Sequence, residues 1–277
     1  MISTSANIRW TRRAPRRGLT FAELIVATTI MVMIASAVAT LGMTVHSTNS
    51  HCQGQTTAAQ HARIALGRIN QAVEGAASSE QFPVCLVVSE QAGGQQLPDT
   101  LVVWSPQSPA ANPAGMPLVR ELVVFGADPA RPHVLLEIRS PTDAAIAPST
   151  ADTAAWRTLV EQMKTSQSTE KIVLTDRLRT TPVTGTWNDS LTAGQLRGVI
   201  RFRRRMAPTT QEWSEYRAGD RNWNEIAWPL DSYRSSSGTR MVACQTELQL
   251  VTGARMSAAN TALPFFGSAA FSYELQR

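Results

Sequence analysis

The sequence predicts an α+β protein: a long N-terminal helix, apolar in its first half and amphipathic in its second, packed on an antiparallel β-sheet head. Three observations predict it. Residues 24–45 carry no charged side chain over a membrane-crossing length. Ala58, Ala62, Ala65, Ile69, Ala72 and Ala76 then recur at spacings of four and three, which is one helical stripe. From Pro83 onward the apolar pattern changes to alternation and short runs, as in strands.

The first element is a basic leader. Arg9, Arg12, Arg13, Arg16 and Arg17 precede Gly18, with no acidic residue among them. The formal charge of +5 reflects 26 basic and 21 acidic residues; setting the five leader arginines aside leaves 21 against 21. The basicity therefore belongs to a targeting segment, and no nucleic-acid partner is expected. The run Leu24–Val45 is 22 residues, roughly 33 Å as a helix, enough to cross a hydrocarbon core. Positive charge keeps the leader cytoplasmic and sends everything after Val45 across the membrane. An ordinary secretory peptide is cut after its apolar region. Here the small residue, Gly18, stands before it, so cleavage at Gly18 would retain the apolar segment as an anchor. The expected division is leader 1–18, transmembrane helix 19–45, amphipathic arm 46–82 and β-rich head 83–277.

Residues 42–54 include Gly42, Gly54 and several poor helix formers, so they read either as a helical continuation or as a softened joint. In the arm, Leu66 and Val73 widen the apolar stripe, while Gln60, His61, Arg68, Gln71 and Glu74 fall largely elsewhere. Candidate strands are Val84–Val88, Thr100–Trp104, Leu118–Phe125, His133–Arg139, Lys171–Thr175, Val199–Arg203, Met241–Val251 and Ala269–Leu275. Gly126–Pro132 reads as a hairpin loop between two of them. Trp156, Leu159, Val160 and Met163 place a short helix over Thr153–Lys164. Long loops fill 106–117, 140–153 and 207–238; the last holds Trp213, Trp223 and Trp228, either tucked onto the sheet or displayed as a contact surface.

The residues argue against an enzyme. His46, His51 and His61 lie on the helical arm, His133 opens a strand, and no nucleophile motif, phosphate loop or Cys-x-x-Cys pair is present. Cys52, Cys85 and Cys244 are too few for a disulfide scaffold. Cys85 and Cys244 either pair in an oxidising compartment, leaving Cys52 over, or stay as two buried thiols. No cofactor is expected beyond one weak calcium candidate. Asp220, Asn222, Asn224 and Asp231 have oxygen ligands at calcium-loop spacing. Glu225 stands where the sharp-turn glycine belongs, and an ordinary Asx-rich turn competes with the calcium reading.

The stretch Gly18-Leu19-Thr20-Phe21-Ala22-Glu23, after a basic leader and before the apolar run, resembles the N-terminal signal of type IV pilins and type II secretion pseudopilins. That signal resembles Gly-Phe-Thr-Leu-(Ile or Val)-Glu. This chain keeps the glycine, the threonine and the glutamate, and departs at Leu19 and Phe21 while staying apolar. The resemblance implies cleavage after Gly18 by a prepilin peptidase and N-methylation at Leu19. It implies an assembly role for Glu23, whose carboxylate would meet the terminal amine of a neighbouring subunit in lipid; the competing reading is a glutamate snorkelling to the interface. The implied protein is a single-pass subunit of the bacterial inner membrane with a periplasmic head. Its partners would be other pilins or pseudopilins, the peptidase, an assembly platform and membrane lipid. The arm is similar in style to J-type pseudopilins and minor pilins. The alternative is a pilus-tip binding module that uses the tryptophan loop. N-terminal sequencing after co-expression with a prepilin peptidase should begin at Leu19; a start beyond Val45 would instead mean an ordinary secretory signal.

Overall fold

The computed structural model describes residues 20–92, 95–183, 195–229, 233–234, 236–253 and 262–277. The chain is α+β, with a long N-terminal helix packed on antiparallel sheet. Helix α1 runs unbroken from Phe21 to Glu74, so Gly42 and Gly54 are helical positions rather than a joint. The chain divides into two units, 1–50 and 51–277. In the first, the described residues 20–50 are exposed on every face, and the helix they form is long and apolar enough to cross a membrane.

In the second unit, the remaining turns of α1 bury the predicted stripe: Ala58, Ala62, Ala65, Ile69, Ala72 and Val73. Leu66 is only half covered. Five strands follow in a meander: β1 (Cys85–Ala92), β2 (Gln95–Trp104), β3 (Leu122–Ala127), β4 (Leu135–Arg139) and β5 (Glu170–Thr175). Each pairs antiparallel with the next. The first turn of the predicted strand at Leu118–Phe125 is instead a 3-10 turn, Val119–Glu121. Helix α2 (Thr153–Thr165) lies between β4 and β5 in sequence and is capped by Asp152, whose carboxylate accepts from the Ala155 N–H at 2.9 Å.

The middle strands are apolar on both faces because both are covered. Leu101, Val103, Val123 and Phe125 join the α1 stripe in one cluster. The alternate residues Val102, Trp104, Leu122 and Val124 join Phe82 and the α2 residues Trp156, Val160 and Met163 in another.

The chain continues through the short pair β6 (Thr180–Pro182) and β7 (Leu196–Gly198) to a second sheet of β8 (Ile200–Ala207), β9 (Ser237–Val251) and β10 (Ala262–Gln276), in the order β10-β9-β8. Ile200 and Phe202 face inward and Arg201 and Arg203 outward, as the alternation predicts. Phe202, Val242, Leu248, Leu250 and Ala269 complete the cluster around α1. The helix backbone comes so close that a Cβ added at Gly54 would lie 2.2 Å from the Thr252 carbonyl oxygen.

The span 207–238 is not a plain loop. It contains helix α3 (Thr210–Ala218), with a Thr209/Glu212 capping box at its start and Gly219 at φ 87° at its end. Trp213, Trp223, Trp228, Ile226 and Leu275 form a third, smaller apolar cluster. These tryptophans are tucked in; Gly238 lies against the Trp228 ring, where a Cβ would come within 2.4 Å of it. Arg240 is buried with them, its guanidinium 5.6 Å from the centre of the Trp213 ring.

Burying Ile69 contributes about 1.5–3 kcal/mol. Ile69→Asp should destabilise the folded chain by about 4 kcal/mol or more, whereas Gln71→Asp, on the exposed face, should change it by less than about 0.5 kcal/mol. Thermal melts of the two variants decide, and equal costs would mean that the buried face is misassigned.

Candidate functional site

The residues singled out in the sequence fall into four places, and the structure does not gather them into one site. At the start of α1, the Glu23 carboxylate accepts from the Thr20 backbone N–H at 2.8 Å and from the Thr20 hydroxyl at 2.9 Å. The Glu23 N–H in turn donates to the Thr20 hydroxyl oxygen at 3.3 Å. This is a reciprocal capping box, and the spacing Thr20-x-x-Glu23 signals it in the sequence. Glu23 thus has a partner within its own helix. Gly18 and Leu19 lie outside the described residues.

The polar side of the α1 arm is anchored to the five-stranded sheet. Arg68 makes a two-pronged contact with Glu137 on β4, at 3.0 and 2.9 Å. Glu137 is almost fully buried and also holds Arg139 at 3.3 Å. Two turns earlier on α1, His61 Nδ1 lies 3.1 Å from the Thr175 hydroxyl at the end of β5. Sequence periodicity assigned Arg68 and His61 to the wet side, because it registers which face a residue is on and not what the long side chain reaches.

A second charged group joins elements distant in sequence. Lys164 of α2 binds Glu90 of β1 and donates to the Thr100 hydroxyl of β2 at 2.8 Å. Arg197 of β7 bridges Glu90 at 2.8 Å and Asp99 at 2.5 Å. Burial, reinforced by the Glu90 charge, pushes the Asp99 carboxyl above its ordinary value in spite of Arg197. Burial also pushes Glu90 upward, but Lys164 and then Arg197 outweigh it and hold that carboxyl low. Asp99 Oδ1 is buried without a partner among the described residues. No signal in the sequence announced this cluster, because its four members come from separated segments.

Cys85 and Cys244 are free thiols buried in the same core cluster, and Cys52 is exposed on α1. The calcium candidate is only partly described, since Asp231 lies outside the described residues. Asn222 spends its side-chain amide on Glu225, at 3.0 Å, and opens a 3-10 turn with a reciprocal cap. The Asp220 N–H donates to the Glu215 carbonyl of α3 at 2.9 Å. Among the described residues, no three His, Cys, Asp or Glu side chains converge as metal ligands would. A cleft of about 440 Å³ opens on the outer face of the three-stranded sheet beside Arg201, Arg203, Glu247 and Phe266.

Comparisons with family models, with curated proteins and with solved structures find no match in any of the three.

Removing Arg197 would leave Asp99 charged and buried. Arg197→Met should cost about 3–5 kcal/mol near neutral pH. Because the Asp99 pKa is raised, that cost should shrink as pH falls through it, where the neutral acid needs no counter-ion. Adding Asp99→Asn should recover part of the loss at neutral pH. Denaturant melts of single and double variants across pH measure this, and a loss unaltered by Asp99→Asn would assign Arg197 to Glu90 alone.

Proposed function

We propose that this chain is a structural minor pilin or pseudopilin subunit of a type II secretion or type IV pilus-like filament, processed after Gly18 and anchored in the bacterial inner membrane with its head in the periplasm. One observation carries the reading. The Gly18-x-Thr20-x-x-Glu23 signal runs directly into a single helix whose first half is apolar and exposed all round and whose later turns are buried against an antiparallel head. An apolar surface of that kind needs a cover, either lipid or the same segment of neighbouring subunits.

Cleavage would free an α-amino group at Leu19, one helical turn before Glu23. In a single subunit the Glu23 carboxylate is occupied by Thr20. In a filament it would turn to the ammonium of the adjacent subunit, pairing two charges that are costly apart in an apolar setting. The assembly partners are other subunits of the same kind, the peptidase and a membrane platform; the head brings no chemistry of its own to this role.

A second reading, a ligand-gripping tip subunit, loses the tryptophan loop as its surface because Trp213, Trp223 and Trp228 are buried. What favours it is the outer face of the three-stranded sheet, where Arg203 and the exposed Phe266 border the open cleft.

Glu23→Ala should leave membrane insertion intact and reduce incorporation into filaments at least about tenfold, a loss of about 1.4 kcal/mol or more per contact. Glu23→Gln, which retains an acceptor for Thr20 but no charge, should fail equally. Quantifying subunit in sheared filaments against the membrane fraction checks both. Normal incorporation of Glu23→Gln would mean that the residue serves only as a helix cap.

A further inference from the structure

We infer that Cys85 and Cys244 form a disulfide that ties the two sheets of the head together when the head folds in an oxidising compartment. The inference rests on the proposed export of the head. Cys85 is the first residue of β1 in the five-stranded sheet, and Cys244 lies in the middle of β9 in the other sheet. The two sheets have no strand pairing in common among the described residues. They are brought together by packing and by Arg204, whose Cα pairs with that of Cys244 and whose guanidinium donates to the Cys85 carbonyl at 2.9 Å. That clamp sets the start of β1 over the middle of β9.

Val84, immediately before Cys85, sits at φ 57°, a left-handed conformation unusual for a β-branched residue. Val84 and Cys85 are both fully buried. The Cys85 and Cys244 side chains are both buried in the cluster around α1. The contact with Cys244, aided by burial, holds the Cys85 thiol well above its ordinary value, while the same contact lowers Cys244. No third metal-binding group joins them among the described residues, so a thiolate metal site is not what the pair is built for.

The bond forms by exchange with a disulfide oxidant, protein or small-molecule. One of the two cysteines, as its thiolate, attacks one sulfur of the oxidant, and the other sulfur leaves as a thiolate. The second cysteine thiolate of the chain then attacks the mixed disulfide at the first and releases the oxidant's remaining sulfur as a thiolate. Two thiols of this chain lose two protons and two electrons, and the oxidant becomes two thiols. This occurs as the head folds, before the core closes over both sulfurs. Afterwards both sulfurs are buried, 0% and 2% exposed. Cys52, exposed on α1, is left as the free thiol.

The test uses the full chain expressed in a bacterial host, acid-quenched, denatured and alkylated with a polymer-tagged maleimide. One tag should attach without reductant and three after reduction. Cys85→Ser should accept two tags in either condition, as should Cys244→Ser. Reductant should lower the melting temperature of the detergent-solubilised chain by about 10 °C, because the bond closes a long loop, and should leave the Cys85→Ala/Cys244→Ala double variant unmoved. Protease added outside spheroplasts reports separately on export. Three tags without reductant on a chain whose head is cleaved from outside would overturn the disulfide, as would a bond mapped to Cys52. A head protected from the protease would instead overturn export; refolding the purified chain in a glutathione redox buffer then decides the pair, and failure to form the bond there overturns it.

Discussion

The apolar stripe of α1 is the constraint on which the head depends. Four of its six buried positions are alanines, Ala58, Ala62, Ala65 and Ala72, and Ala76 is buried just past its end. Small side chains let the helix axis settle close to the strands, and Gly54 removes the last Cβ where the Thr252 carbonyl comes nearest. The inward residues of both sheets, among them Phe125, Phe202, Val242 and Leu248, are large and buried against this narrow ridge. Bulk on the strands complements its absence on the helix, which is how interiors reach close packing. Without α1 those residues would form one wide apolar surface open to water.

Charge refines what packing sets. Arg68 and Glu137 fix the rotation of α1 on the sheet, since a turn of the helix about its axis would leave Glu137 buried with Arg139 alone. Arg197 and Lys164 do the same for β7 and α2 around Glu90 and Asp99. Such buried pairs add little net stability beside apolar groups of the same shape, because desolvation offsets much of the attraction. Breaking one is costly, so they penalise wrong registers. The same logic applies to Arg240, satisfied by the Trp213 face, the Thr209 carbonyl and Tyr273 with its Nε left over.

Elements with one strong periodicity were legible from residues alone. The stripe on α1, the alternation of Ile200 with Arg201 and Phe202 with Arg203, and the four-residue face of α2 are each where the pattern placed them. The pattern failed where order comes from another source. Helix α3 has weak amphipathicity and is built from its caps, Thr209 with Glu212 and Gly219, with Trp213 as its only buried residue. The 3-10 turn at Val119–Glu121 interrupts an apolar run because Glu121 is drawn in to accept from the Trp104 indole at 3.1 Å and from the Ala111 N–H at 2.7 Å. The short strands β6 and β7 have too few residues for any period to appear.

The sequence by itself determined the helix, its apolar and amphipathic halves, the antiparallel head and the Gly18–Glu23 spacing on which the proposed function rests, because each is a local pattern of composition or spacing. Only the tertiary structure decided that the tryptophans form a private core with Leu275 and that Cys85 and Cys244 share one core across two sheets. It alone joined Lys164, Glu90, Arg197 and Asp99 into one cluster. These contacts are chosen by packing and by the reach of long side chains, most of them between residues far apart in the chain, and a one-dimensional pattern carries no record of them.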